Sequence, residues 1–201
     1  MTRINYLSAA ILICSLALST TNNAQTASIE KKESKPGSKM TVKEQNFMDR
    51  YYEMKETYPK LSVYCGDYAA ASHPLPKFIE RFNQIKTAYP KLTDAFGDYA
   101  GSEYALDNFV KRYFELKESY PDLVNVAGDY AASNHNLAEF IKRYHEVKAS
   151  EPALADSYGQ YAASTYTLPE FSKRYFGAKD SNTGFKSGFG EYAGSMKRLA
   201  K

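Results

Sequence analysis

Residues Phe109–Glu139 read FVKRYFELKESYPDLVNVAGDYAASNHNLAE, and versions of this stretch recur on both sides of it. Phe47, Phe78, Phe109, Phe140 and Phe171 stand 31 residues apart. Gly66, Gly97, Gly128, Gly159 and Gly190 keep the same step, as do Tyr68, Tyr99, Tyr130, Tyr161 and Tyr192. Five units, 47–77, 78–108, 109–139, 140–170 and 171–201, fill the chain to its last residue. Self-similarity at a fixed short period marks a repeat architecture: one unit cannot bury its own apolar face, so neighbours must stack.

Each unit reads as two short helices. In the second, Phe78, Phe82, Ile85 and Tyr89 fall at i, i+4, i+7 and i+11, one helical face, with Leu75 on the same side. Thr41 with Glu44, Asn136 with Glu139 and Thr167 with Glu170 have capping-box spacing. The first helix is expected to stop at Tyr-Pro, because the residue before proline is pushed out of the helical region. Pro59, Pro90, Pro121 and Pro152 then suit the first turn of a second helix carrying Leu92, Phe96, Tyr99 and Ala100. That reading leaves the repeated glycine mid-helix, at a cost of about 1 kcal/mol relative to alanine. Four residues later stands Ala70, Gly101, Ala132, Ala163 or Gly194, so the small residues predict close approach of neighbouring helices. Period-two alternation is absent, which excludes strands.

The expected fold is therefore all-α: an α-solenoid or superhelical bundle of five tandem helix-turn-helix hairpins, residues 41–201. Hairpin length is similar to that of tetratricopeptide-type solenoids, but their period is longer and their Trp-Leu-Gly-Tyr positions are absent here. The similarity is one of architecture and assigns no family. The last unit, with Asn182-Thr183 in place of Tyr-Pro and extra glycines at 177, 184 and 188, is expected to be a frayed or capping unit.

Arg3 followed by the apolar run Leu7–Leu18 reads as a signal peptide, 1–25, with an ambiguous cleavage point; the run is too short to span a bilayer. Residues 26–40 are polar and aperiodic, a disordered leader. Beyond residue 25 the chain holds 25 basic and 23 acidic residues, too balanced for a nucleic-acid surface. It holds one cysteine, Cys65, so stability must come from packing rather than an internal disulfide.

No convergent catalytic group, cofactor motif or metal-ligand spacing stands out, and a non-enzymatic protein is expected. His73 and His135 occupy one register two units apart, about 20 Å at the usual helix-packing distance, too far to share a metal. Cys65 occupies a core register and reads as a buried, inert thiol. Arg50, Arg81, Arg112, Arg143 and Arg174 form one charged row, Lys55, Lys86, Lys117, Lys148 and Lys179 a second, and Asp67, Asp98, Asp129, Gln160 and Glu191 a third. These read as a salt-bridge ladder with stems over the core, or as a basic track for an anionic ligand.

Positions that vary between units are freer to meet a partner. Tyr52, Asn83, Phe114, His145 and Phe176 share a register about 140° from the core position, a partly exposed aromatic row. Tyr104 and Tyr166, with His73 and His135, form a second row in the loops. The expectation is an exported scaffold binding an unidentified protein or peptide, with no membrane-spanning segment after cleavage. A wall or matrix component touching glycans is the alternative. A precursor cut at Lys111-Arg112, Lys142-Arg143 and Lys173-Arg174 ranks below both, because these pairs fall inside helices.

Overall fold

A computed structural model describes residues 45–181 and 187–200, all within one compact unit, Lys31–Lys201. The expected signal peptide, the leader and the Thr41/Glu44 pair lie outside the described residues. Among those described there are ten α-helices, four 3-10 segments and no strand. Five longer helices, α1 (Phe47–Thr57), α3 (Leu75–Ala88), α5 (Leu106–Ser119), α7 (Leu137–Ser150) and α9 (Leu168–Asp180), alternate with five short ones. The short helices are α2 (Cys65–Ala70), α4 (Phe96–Gly101), α6 (Ala127–Ala132), α8 (Tyr158–Ala163) and α10 (Phe189–Gly194). No described helix is long and apolar enough to cross a membrane.

The longer helices form on the expected stripe: Phe78, Phe82 and Ile85 are buried, as are Phe109, Tyr113 and Leu116. Asn136 caps α7 by accepting from the Glu139 amide at 2.9 Å, and Thr167 with Glu170 closes a full capping box on α9. Asn46 caps α1 by accepting from the Asp49 amide. At the other end, the amides of Tyr58, Tyr89, Tyr120 and Glu151 close on the carbonyls of Met54, Ile85, Leu116 and Val147 just ahead of proline.

The second helix differs from expectation. After Pro59, Pro121 and Pro152 the chain makes a 3-10 segment, broken at Leu61 (φ −109°, ψ 21°), Leu123 and Leu154. Each of these leucines is buried. The break turns the leucine into the core, which a continuous helix would not do, and the α-helix restarts four residues on. The repeated glycine is thus the second residue of a six-residue helix, not a mid-helix residue.

Each longer helix packs on the short helix that follows it, and the short helices touch in the order α2, α4, α6, α8, α10. Helix α10 then returns to α2. An open solenoid leaves its end units apart, so this contact makes the array closed. One ring contact repeats at every junction. Tyr68 meets Phe78 at 5.4 Å, Tyr99 meets Phe109 at 5.3 Å, Tyr130 meets Phe140 at 5.3 Å and Tyr161 meets Phe171 at 5.4 Å between centroids. Tyr192 meets Phe47 at 5.4 Å.

The backbone repeats the same statement. The Phe78 amide donates to Pro74 O at 3.1 Å and the Phe109 amide to Ala105 O at 3.0 Å, bonds that complete the first turn of a helix entered from the preceding unit. Helix α1 is the first described helix, and the Phe47 and Met48 amides donate to Arg198 O and Leu199 O at 2.8 and 3.1 Å. The C-terminal residues thus satisfy orphan donors of the first helix. The fifth unit is not frayed where it is described. It closes the array, and Gly188, at φ +88°, brings its backbone against Gly66 at the seam.

The arginine row is neither salt-bridge ladder nor basic track. Arg50 is fully buried and donates to Tyr68 O at 2.8 Å and His73 O at 2.6 Å. Arg81 reaches Tyr99 O and Tyr104 O, Arg112 reaches Tyr130 O and His135 O, and Arg143 and Arg174 repeat the pattern. Each guanidinium also lies over a tyrosine ring, Arg50 at 4.1 Å from the Tyr68 centroid. Each short helix ends in carbonyls without intrahelical donors, and a planar, always-charged fork of five N–H groups suits them. The row therefore ties the end of each short helix to the long helix before it.

Candidate functional site

Three places hold side chains that vary or converge. The first is the outer face. Phe114 is 36% exposed, Asn83 and His145 are exposed, and Tyr52 and Phe176 are half-buried. The row presents the faces predicted from its angle on the helix. Tyr52, Phe114, His145 and Phe176 rest edge-on against the buried Tyr51, Tyr113, Tyr144 and Tyr175, with centroids 5.2–5.8 Å apart. Lysines stand beside them: Lys55 Nζ is 5.7 Å from the Tyr52 centroid and Lys117 Nζ 5.6 Å from that of Phe114. Among the described residues, the polar members Tyr52, Asn83 and His145 make no hydrogen bond through their side chains.

The second is the loop row, and here the side chains connect units. Tyr104 donates to Ser133 O at 3.0 Å and Tyr166 to Ser195 O at 3.1 Å. His73 and His135 reach Ser102 O and Ser164 O through Nε2, both at 2.8 Å. Four residues of two chemistries thus bridge to the carbonyl of the next unit's helix-ending serine. The polar ends of Tyr104 and Tyr166 are committed inside the array, which leaves only their half-buried rings for a partner.

The third place is one that reading along the chain misses. The acid register and the small-residue register four positions later lie on the mutually facing sides of the short helices, and closure brings them around one cavity of about 240 Å³. Asp67, Asp98, Asp129, Gln160 and Glu191 all line it. Each registers against the next unit's glycine. A methyl group at Gly97 would overlap the Asp67 carboxylate; at Gly128 and Gly159 it would overlap those of Asp98 and Asp129. A methyl group at Gly66 would come within 3.1 Å of Glu191 Cδ. The small residues predicted close approach; what approaches is the neighbour's carboxylate and backbone.

Desolvation holds all four carboxyls above their ordinary range, with repulsion from one another adding to it. Asp98 is pushed up to about 7. Glu191 moves the same way by desolvation, with repulsion from Asp156 adding to it. Among the described residues the ion pairs are His73–Glu103, Lys77–Glu80 and Lys142–Glu139, none of them at the cavity. No three described His, Cys, Asp or Glu side chains are placed to hold a metal ion. Cys65 is buried, and desolvation raises its thiol to about 11, so it stays protonated and unreactive at neutral pH.

Comparison with models of known protein families, with characterised proteins and with solved structures finds no match to this chain.

Proposed function

We propose that this protein is an exported, non-enzymatic helical-repeat scaffold that binds a protein or peptide on the outer face of its long helices. One observation carries the reading. The repeated arginines, inner tyrosines and loop residues are committed to the fold: arginines to carbonyls, inner tyrosines to Glu53, Gln84, Glu115 and Glu146, loop residues to serine carbonyls. The register Tyr52, Asn83, Phe114, His145 and Phe176 varies from unit to unit and faces outward, where aromatic side chains are the usual anchors of an interface. Repeat arrays present such rows as one extended surface. The apolar N-terminal run supports export.

The test uses residues 26–201 as bait for the host's envelope and extracellular fractions, beside a Phe114→Ala/Phe176→Ala variant of equal helicity. A partner retained by the parent and lost by the variant supports the site. Equal retention by both overturns it. The lysines beside Tyr52 and Phe114 favour a second reading, an acidic glycan laid across ring and ammonium together. Recovery of polysaccharide in place of protein would support that one.

A further inference from the structure

We propose that the axial carboxylates act as a pH-sensitive latch: their ionisation loosens the packing between short helices and opens the seam between the fifth and first hairpins before any other junction. The geometry has two parts. Asp67, Asp98, Asp129 and Glu191 each sit against the glycine of the next short helix, so every one of these acids lies in a junction and not on a free surface. A glycine Cα offers an anion no donor, and no described hydrogen bond ties these carboxylates to the neighbouring helix. What backbone help they have comes from their own amides, at Asp67 and Glu191.

The charged groups that face them are acids, and α8 contributes the neutral Gln160. Asp67 feels Asp98, Glu191 and Asp129 from the other short helices. Asp98 feels Glu191 and also Asp94 from the 3-10 segment ahead of α4; Glu191 feels Asp156 from the segment ahead of α8. The phenols nearby, Tyr64, Tyr113 and Tyr175, are themselves pushed up by burial and by these same carboxylates, and remain neutral. The arginines of the long helices aim at the carbonyl ends of the short helices, and Lys55 acts on the Cys65 thiol.

Four junctions are held by the chain itself as well as by packing. At the fifth, the described contacts include Phe47 on Tyr192, Tyr51 on Ser187, Glu191 and Gly188 on Gly66, and the two amide bonds to Arg198 and Leu199, with no peptide link between the two units. Carboxylates stand at four of the five junctions, the one between the fourth and fifth units carrying Gln160 instead, and repulsion opens the charged junction with no covalent tie. Burial moves these acids toward neutrality, so the latch works between mildly acidic and mildly alkaline pH.

Amide hydrogen exchange of the whole chain, corrected for intrinsic rates, reads this directly. Protection of the Phe47 and Met48 amides falls at least about tenfold from pH 6 to pH 9, while the equivalent amides of Phe109 and Phe140 keep theirs. Asp67→Asn/Asp98→Asn/Asp129→Asn/Glu191→Gln abolishes the difference. Glu191→Gln alone halves it or more, and it copies the Gln160 that the fourth unit already carries, so it folds. Seam protection that ignores pH overturns the proposal, as does an equal pH response in the Glu191→Gln variant or an equal loss at all five junctions.

Discussion

Tyr51 Oη lies 3.0 Å from Ser187 Oγ, although 136 residues separate them. The same register pairs Tyr113 with Asp94 at 3.0 Å and Tyr175 with Asp156 at 2.9 Å. In each case a long helix reaches the segment ahead of the previous unit's short helix. Where the preceding unit offers Val63, the long helix carries Phe82, which has no hydroxyl to satisfy. The seam therefore follows the same pairing rule as the junctions at Tyr113 and Tyr175.

That rule gives a coupled pair. Phe82→Tyr alone places a hydroxyl at a junction with no acceptor at the matching position, costing about 1–2 kcal/mol. Val63 is 79% exposed, so Val63→Asp alone is nearly neutral. Together they recover most of the loss, a coupling of about 1 kcal/mol. A double-mutant cycle by urea unfolding measures it; additive effects would mean that the registers do not pair.

The two kinds of glycine separate under one substitution. Gly97→Ala sets a methyl group into the Asp67 carboxylate and 2.9 Å from Tyr64 Cδ1, and loses about 1–3 kcal/mol. Gly177, with nothing within 4 Å of a Cβ and a helical backbone, gains about 0.5–1 kcal/mol as alanine. Thermal midpoints moving in opposite directions would check both.

Arg81 holds the end of α4 through three acceptors, Tyr99 O, Ser102 Oγ and Tyr104 O. Arg81→Lys keeps the charge and loses the fork, at about 1–3 kcal/mol; Arg81→Met leaves buried carbonyls without donors and costs about 3 kcal/mol or more. Both losses persist at high salt, because no ion pair is involved. Chemical denaturation at low and high sodium chloride distinguishes this capping role from a salt bridge.

The axial acids give stability a sign against pH. Their native pKa lies above the unfolded value, so the folded chain binds more protons in the window between the two. Their contribution is full below the ordinary carboxylate range and is lost as pH rises through the folded value, about 7 for Asp98. Asp98→Asn flattens the fall and raises the midpoint by a few degrees at pH 8. A midpoint that rose steadily from pH 5 to pH 8 in the parent would contradict the sign.

Much of the fold was legible along the chain. The core Phe and Tyr registers, the capping pair Thr167/Glu170 and the stop at Tyr-Pro follow from spacing and local chemistry. The break at Leu61 does not, because a leucine two residues after a proline looks the same whether the helix runs on or restarts. The arginine row is legible as a row but its role is not, since its acceptors are main-chain carbonyls that no residue type announces. The cavity stayed hidden for a larger reason. Its acids and small residues were noted as registers, but only the contact of α10 with α2 turns registers into the wall of one space. The five outer-face residues were placed by angle alone, and the structure gives them the predicted exposure at Phe114, Asn83 and His145 while leaving Tyr52 and Phe176 half-covered.

Closure also fixes how this molecule can change in evolution. An open stack can gain or lose a unit by unequal recombination, and each product differs only in length. Here Arg198 and Leu199 must arrive at Phe47 and Met48, so the turn between successive hairpins has to share one full circle equally among the units present. A sixth copy of the 31-residue stretch would leave that tail out of reach of the first helix unless every junction changed its angle together. The number of repeats is thus inherited as a single trait, and the sequence is free to drift unit by unit while the count is not.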